Sequence, residues 1–206
     1  METKIWEEKD RSECAAALQK GEVVCFPTET VYGIGVIATQ EAAFKKLVAA
    51  KRRPPTKPFS MMTATLEEAE RFVVIGEKAR RVMETYMPGQ ITVLCKAKEG
   101  LPHWLTLGTP LIGIRIPDSP FVLSLIREVG DPLLVTSANH SGDPTSTSFE
   151  ETYHTFQGEV SGIVKGNCTS RIASTIVNIG SEDAITLVRP GPIPFEDIEK
   201  TWKGEK

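Results

Sequence analysis

The sequence predicts an α/β fold in which a twisted mixed sheet carries flanking helices. Short apolar runs rich in Val and Ile end abruptly at Pro, Gly or polar residues, which is typical of buried strands. These runs alternate with segments whose apolar residues recur at helical spacing, so helices are expected to pack on the sheet. A chain of 206 residues that is 40% hydrophobic is long enough for one domain with its own core.

The first half of the chain is predicted to contain helices separated by short strands. Asp10 or Ser12 caps the first helix, and Gly21 is a favoured stop for it. Three prolines exclude a helix from 51–58 and predict a rigid, cationic loop there. In order, the predicted elements are a helix at 10–20, a strand at 21–27, a polar loop at 28–35, a helix at 40–50, a strand at 59–62, a helix at 66–72 capped by Thr65, and a helix at 77–86.

The second half is predicted to be richer in strands. Pro88-Gly89 turns the chain into an apolar run, and Arg189-Pro190-Gly191 ends the last one. In order, the predicted elements are a strand at 91–96, an irregular stretch at 100–110, a strand at 111–117, a helix at 119–129, a strand at 132–136, a polar loop, a helix capped by Thr147 or Ser148 and reaching His154, strands at 162–164, 174–179 and 184–188, and a helix at 194–203.

Composition excludes several classes of protein. A net charge of −3 and a pI near 5.7 argue against broad binding of duplex nucleic acid and leave one local basic patch. The four cysteines and three histidines show no metal-site spacing, so no structural metal is expected. The N-terminus lacks the features of a signal peptide, and no apolar run is long enough to span a membrane, so a cytoplasmic protein is expected. The patch consists of Lys45, Lys46, Lys51, Arg52, Arg53 and Lys57.

Three predicted strands run directly into polar or cationic side chains. The strand at 132–136 leads into Ser137, the strand at 111–117 contains Arg115 near its end, and the last strand leads into Arg189. Ligands commonly bind where strands of an α/β sheet end, because a rigid scaffold positions the exposed groups. These ends are therefore expected to share one cleft.

The loop at 51–58 concentrates positive charge on a stiff backbone. Mutual repulsion among these cations is relieved by a bound anion or by solvent, and a mixture of Lys and Arg suits a polyphosphate. Arg53 and Lys57 are the better candidates for direct contact, and Arg52 is expected to point away. The alternative is a solvated basic loop without a ligand.

Two further loops offer small hydrogen-bonding groups. Ser137 and Asn139 are two residues apart and point the same way in an extended segment, although the same residue types also suit a plain turn. The segment PTETVYGIG offers Thr28 and Thr30 for hydrogen bonds, with glycines that allow close approach of a ligand. It is neither a Walker A loop nor a Rossmann fingerprint.

Together these motifs resemble the YrdC/TsaC family of threonylcarbamoyl-adenylate synthases, in its single-domain form. Five elements occur in the family's order, and the pair formed by KxR (Lys51, Arg53) and SxN (Ser137, Asn139) is its signature. The resemblance implies a YrdC-like open fold with a concave basic cleft. It also implies one domain over 1–206, with the motifs between about 10 and 191. The five elements are PTETVYGIG, KRRPPTKPFS, IGIRIP, TSANHSGDPTST, and STIVN followed by RPG.

The resemblance also implies an activity, which is the formation of threonylcarbamoyl-AMP and pyrophosphate from L-threonine, bicarbonate and ATP. Magnesium would accompany the nucleotide, and the product would serve modification of tRNA beside the anticodon through a separate transferase complex. Lys51 and Arg53 would be catalytic by neutralising phosphoryl charge. Threonine would bind at Thr30, Arg115, Ser137 and Ser174, and ATP at Lys51, Arg53, Lys57, Asn139, Thr147 and Arg189. Met62, Ala173 and Gln90 depart from the usual pattern, where a histidine, a glutamate and a proline are common.

Two other functions remain open on the sequence. A related enzyme that forms carbamoyl-adenylate would share the nucleotide site but transfer to a different acceptor. A module that binds RNA or tRNA without chemistry would use the same basic surface, and its affinity would fall steeply with salt.

Overall fold

The computed structural model describes residues 2–54, 58–181 and 183–205. The strands are β1 (Lys4–Trp6), β2 (Val24–Phe26), β3 (Gly33–Ile37), β4 (Ser60–Met62), β5 (Val73–Val74), β6 (Ile91–Ala97), β7 (Leu111–Arg115), β8 (Leu133–Ser137), β9 (Gly162–Val164), β10 (Thr175–Ser181) and β11 (Ala184–Arg189). The helices are α1 (Arg11–Gln19), α2 (Glu41–Lys51), α3 (Leu66–Ala69), α4 (Glu77–Tyr86), α5 (His103–Thr106), α6 (Pro120–Val129), α7 (Phe149–Phe156) and α8 (Phe195–Lys203). The predicted α/β class is confirmed.

The strands form one mixed sheet in the order β1-β9-β2-β3-β8-β4-β7-β6-β10-β11, and β5 pairs with β6. β9 is parallel to β1 and β2, β4 is parallel to β7, and β6 is parallel to β10. The remaining pairs are antiparallel. Strands that are distant in sequence are neighbours in the centre, which brings separate motifs together.

The central strands have one face in the core and one face in an open cleft. Met61 of β4 is fully buried and pairs in register with Ile114 of β7 and Leu134 of β8. Side chains alternate across a strand, so the next row, which contains Ser60, Gly113 and Val135, points the other way and lines the cleft. The sheet itself is therefore the floor of the candidate site.

Side-chain caps fix where several helices begin. The Thr65 hydroxyl accepts the Glu68 backbone N–H at 3.2 Å, and Ser148 accepts that of Glu151 at 3.2 Å. Each cap satisfies a donor that the helix cannot pair internally. Thr65 was predicted as a cap, and of the two alternatives for α7 the structure selects Ser148.

Several sequence predictions need correction. The stretch at 28–35 is not a loop to its end, because Gly33 begins β3 and pairs with both β2 and β8. A Cβ at Gly35 would lie 2.9 Å from the Leu134 carbonyl oxygen, so glycine serves close strand packing there. The stretch at 100–110 holds the short helix α5, and the predictions omitted β1 and β5.

The end of α2 also differs from the prediction. Lys51 is its last helical residue rather than the first residue of a loop, and Arg52 follows in the left-handed conformation with φ of 48°. A cation in the last helical turn is favourable, and the prolines begin only at Pro54. Among the described residues, no helix has the length and apolar character needed to cross a membrane.

Candidate functional site

A cleft of about 590 Å³ lies on the open face of the sheet. The expectation of one shared cleft is met, but the reason given for it was wrong. β4 runs parallel to β7 and antiparallel to β8, so β7 and β8 point in opposite directions. Arg115 and Ser137 therefore meet because they project from the same sheet face, not because the strands end at one edge.

Most of the predicted site residues line this cleft. Thr147 is not among the lining residues. Its backbone N–H and hydroxyl donate to the Glu151 carboxylate at the start of α7. Lys57 lies outside the described residues. The predicted residues that line the cleft are Thr30, Lys51, Arg53, Arg115, Ser137, Asn139, Ser174 and Arg189.

Lys51 connects the KxR motif to the SxN motif. The residue is 1% exposed, and Nζ donates to the backbone oxygen of Ser137 at 2.5 Å, to that of Asn139, and to Asn139 Oδ1 at 3.3 Å. The Ser137 hydroxyl donates to the same Oδ1 at 2.6 Å, and Asn139 Nδ2 donates to the carbonyls of His140 and Asp143. These contacts hold the strand end and the following loop as one unit.

Arg53 is a half-buried cation in the lining of the cleft. Its Nη2 donates to the Pro58 carbonyl at 2.6 Å, and its guanidinium lies 4.6 Å from the centre of the Phe59 ring. Loss of water around the group lowers the pKa of the Arg53 guanidinium from its ordinary value. Arg52 is exposed and pairs with Glu159 at 2.9 Å, so it points away as expected.

Arg115 is a buried cation whose counterion comes from the PTETVYGIG segment. Its Nη2 donates to Glu29 Oε1 and to Thr30 Oγ1, each at 2.7 Å. Both side chains of the ion pair are 7% exposed. Arg115 Nε is buried and has no hydrogen-bond partner within the described structure, so a donor remains for a ligand.

Arg189 and Ser174 form another polar cluster in the lining of the cleft. Arg189 Nη2 donates to the Ser174 carbonyl at 2.7 Å, and the Ser174 hydroxyl lies 2.9 Å from that of Thr92. Burial, and then the nearby Arg115 cation, lower the pKa of the Arg189 guanidinium. The Arg115 and Arg189 guanidinium groups are both at least partly shielded from water, and two such cations close together favour a bound anion.

Sequence reasoning assigned no role to two residues of this site. Thr92 lies on β6 within the apolar run ITVLCK, and the signal for it was a polar residue at an alternating position. Glu29 was noted only as the carboxylate of its motif. Among the departures from the family pattern, Met62 and Ala173 line the cleft, and the Gln90 carbonyl accepts the Thr175 N–H at 3.0 Å.

Gly191 allows the chain after β11 to pack against the segment that carries Ser174. A Cβ at Gly191 would lie 2.3 Å from Thr175 N and 2.6 Å from the Ser174 carbonyl carbon. We expect Gly191→Ala to lower the free energy of unfolding by about 1–3 kcal/mol and to displace Ser174, because backbone cannot yield as a side chain can. Urea unfolding and a ligand-binding assay check this. Gly100→Ala is the control, because Gly100 has a φ of 78° but open space where the Cβ would lie. This variant should also lower the free energy of unfolding, but it should leave ligand binding unchanged.

The protein is therefore an α/β protein in which one face of the sheet forms the floor of a cleft lined by Lys and Arg side chains. The family model Sua5/YciO/YrdC, described as telomere recombination, matches residues 16–191. The chain belongs to this family, which confirms the resemblance found in the sequence.

Individual relatives agree with this assignment. A threonylcarbamoyl-AMP synthase of Bacillus subtilis is 39% identical over 191 residues, covering 91% of this chain and 55% of that protein. A Methanocaldococcus jannaschii relative is 33% identical over 205 residues, with 96% of each chain covered. The crystal structure of P. abyssi Sua5 complexed with L-threonine superposes with a TM-score of 0.90 at 32% identity, covering 98% of this chain and 61% of that one. The chain thus spans little more than half the length of two of these relatives.

Proposed function

We propose that this chain is an L-threonylcarbamoyladenylate synthase, a nucleotidyltransferase that forms threonylcarbamoyl-AMP and pyrophosphate from L-threonine, bicarbonate and ATP. The observation that carries the proposal is that several separate segments of the chain meet at one cleft. Segments separated by more than a hundred residues place four cations and several hydroxyl groups around one cleft of about 590 Å³. A solvated basic loop would not require Arg115, Ser174 and Arg189 to face the same space.

The nucleotide is proposed to bind where the cations are concentrated. Arg53 and Arg189 are partly dehydrated, and water screens such charges less than it screens exposed ones. A triphosphate matches them in sign, and the planar guanidinium matches phosphate oxygens in geometry. Lys51 is engaged with the Ser137–Asn139 loop, so its observed contacts fit a residue that holds the nucleotide site in shape. Lys57 and Thr147 remain proposed ATP-binding residues.

Magnesium is proposed to arrive with the nucleotide. The lining supplies hydroxyl and amide oxygens and cations rather than carboxylates within the described residues. The ion would therefore take its ligands mainly from phosphate oxygens and water. When bound, it would neutralise part of the phosphate charge.

L-Threonine is proposed to bind beside Arg115. The buried, unpartnered Nε offers a charge-assisted hydrogen bond to a carboxylate. Thr30, Ser137 and Ser174 add hydroxyl groups around the same space. A P. abyssi relative has been crystallised in complex with L-threonine, which supports threonine as the ligand but not its exact position.

The proposed chemistry needs positioning and charge neutralisation more than proton transfer. The threonine amine and bicarbonate condense to a carbamate with loss of water. A carbamate oxygen then attacks the α-phosphorus, and the bond to the pyrophosphate leaving group breaks. The carbamate is already an anion, so no strong general base is required. Arg53 and Arg189 would neutralise the charge that develops on phosphoryl oxygens, and the cleft would shelter a labile intermediate from water.

Release of pyrophosphate tests the function. The purified chain is incubated with ATP, Mg²⁺ and bicarbonate, with and without L-threonine, and pyrophosphate is measured. We expect release that requires both bicarbonate and threonine, and threonylcarbamoyl-AMP as the product. Release in a parallel incubation in which carbamoyl phosphate replaces threonine and bicarbonate would instead indicate an enzyme that forms carbamoyl-adenylate. A lack of release, with salt-sensitive tRNA binding, would indicate an RNA-binding module.

The product is proposed to pass to a separate threonylcarbamoyl-transferase complex that modifies tRNA beside the anticodon. This step would take place in the cytoplasm, where ATP and tRNA are present. Binding of tRNA by this chain itself stays a prediction, which salt-dependent binding measurements can test.

A further inference from the structure

Glu29 is a buried carboxylate next to a cleft that is proposed to bind anions. It is 8% exposed, pairs with Arg115 at 2.7 Å, and is not itself among the lining residues. Its backbone oxygen accepts the Thr169 hydroxyl at 2.9 Å and the Ser170 N–H at 3.0 Å. Glu29 therefore stands behind Arg115 on a fixed backbone.

A chain of hydroxyl groups fixes the other partner of Arg115. The Thr28 hydroxyl donates its single proton to the Val31 carbonyl at 2.7 Å. The Thr28 and Thr30 hydroxyl oxygens are 2.9 Å apart, so Thr30 must be the donor between them. Thr30 in turn accepts from Arg115 Nη2. The direction of every hydrogen bond from Arg115 to Val31 is thus determined.

These contacts decide which parts of the guanidinium a ligand can use. A carboxylate binds a guanidinium at two points either through Nη1 and Nη2 or through Nε and Nη2, so Nη2 belongs to both arrangements. Its two protons are taken by Glu29 and Thr30. Nε is buried, and the described residues give it no partner.

We propose that Glu29 is a positioning residue for the amino-acid substrate, an inference that rests on the proposed function. It holds the Nη2 corner of Arg115 so that Nε is directed at the substrate carboxylate as a single-point donor. Glu29 acts through Arg115 and does not contact the substrate.

Two substitutions separate orientation from charge. Glu29→Gln keeps an oxygen that accepts from Nη2, whereas Glu29→Ala removes the acceptor. We expect Glu29→Ala to raise the KM for threonine by at least about tenfold and Glu29→Gln to change it by less than about threefold. The KM for ATP should move by less than about threefold in both variants, because the nucleotide cations have other partners.

The control removes a carboxylate that pairs with an arginine outside the cleft. Glu128 pairs with Arg11 at 2.6 Å, and neither residue lines the cleft. Glu128→Ala should leave both KM values unchanged. A Glu29→Ala protein with the wild-type KM for threonine would overturn the proposal. So would a Glu29→Gln protein as impaired as the alanine variant, because charge rather than orientation would then be decisive.

The wild-type chain allows a measurement that does not depend on any variant folding. With 15N-labelled arginine, addition of threonine should shift the Arg115 Nε–H resonance, because this donor then gains an acceptor. The resonance is assigned by its absence in the Arg115→Lys variant. Threonine binding without that shift would overturn the proposal. Absence of both threonine binding and threonine-dependent pyrophosphate release would instead contradict the proposed function, so the two failures are distinguishable.

Discussion

Arg53→Ala is expected to slow threonine-dependent pyrophosphate release by about a hundred- to a thousandfold. Removing one preorganised charge contact to a transition state typically costs about 3–4 kcal/mol. Arg53 lines the cleft, is half-buried and rests against Phe59, so its charge is held in place and is poorly screened. Single-turnover measurements at saturating ATP and threonine would show the loss in the chemical step.

Arg52→Ala is the matched control for this prediction. Arg52 is adjacent, carries the same charge and is expected to leave turnover unchanged, because it is exposed and pairs with Glu159 outside the cleft. Its loss removes only a surface ion pair, which contributes about 1 kcal/mol or less. An Arg53→Ala protein with full activity, or equal losses in the two variants, would contradict the assignment of Arg53 to the reacting phosphate.

Much of the site was predictable because polar residues in an apolar context are informative. Arg115, Ser137 and Arg189 each end or closely follow a strand, and all three line the cleft. Their meeting place was not predictable. Strand direction is set by which strands pair, and β8 lies between β3 and β4 in the sheet although it is far from both in the chain. Local sequence contains no information about that pairing.

Glu29 and Thr92 show a second limit of the sequence. A carboxylate in a polar segment is ordinarily solvated, and only the approach of Arg115 from a strand 86 residues away makes Glu29 part of a buried pair. Similarly, the Thr92 hydroxyl acquires significance from Ser174, which is 82 residues away. Residue types indicated hydrogen-bonding groups, but their partners depend on tertiary structure.

Lys51 shows the same limit for a charge. In the sequence it belongs to a run of cations, and such a run predicts either a phosphate contact or a solvated loop. In the structure it is a buried residue at the end of α2, and its ammonium group contacts three oxygens at the end of β8 and in the loop that follows. A buried charge is tolerated only with such partners. The signature pair KxR and SxN is therefore one connected structural unit.

Lys51→Met is expected to reduce pyrophosphate release by about two orders of magnitude or more and also to lower the free energy of unfolding by about 2–4 kcal/mol. Methionine keeps most of the apolar stem but leaves the Ser137 and Asn139 carbonyls without their charged donor, and each lost bond to a charged group is worth about 1.5–3 kcal/mol. Displacement of Ser137 and Asn139 then misplaces both proposed substrates, which accounts for the loss of rate. Urea unfolding and pyrophosphate release, measured on the same preparation, check the two effects together.

The control for Lys51 lies on the same helix. Lys45 is 71% exposed at its side chain and pairs with Glu41, so Lys45→Met should leave activity unchanged and stability within about 0.5 kcal/mol of wild type. The joint effect on rate and stability distinguishes a residue that holds the loop from one that only contacts phosphate. A Lys51→Met protein with normal unfolding but little activity would show that the ammonium group acts on the nucleotide directly. Normal values of both would contradict any role for Lys51 in this site.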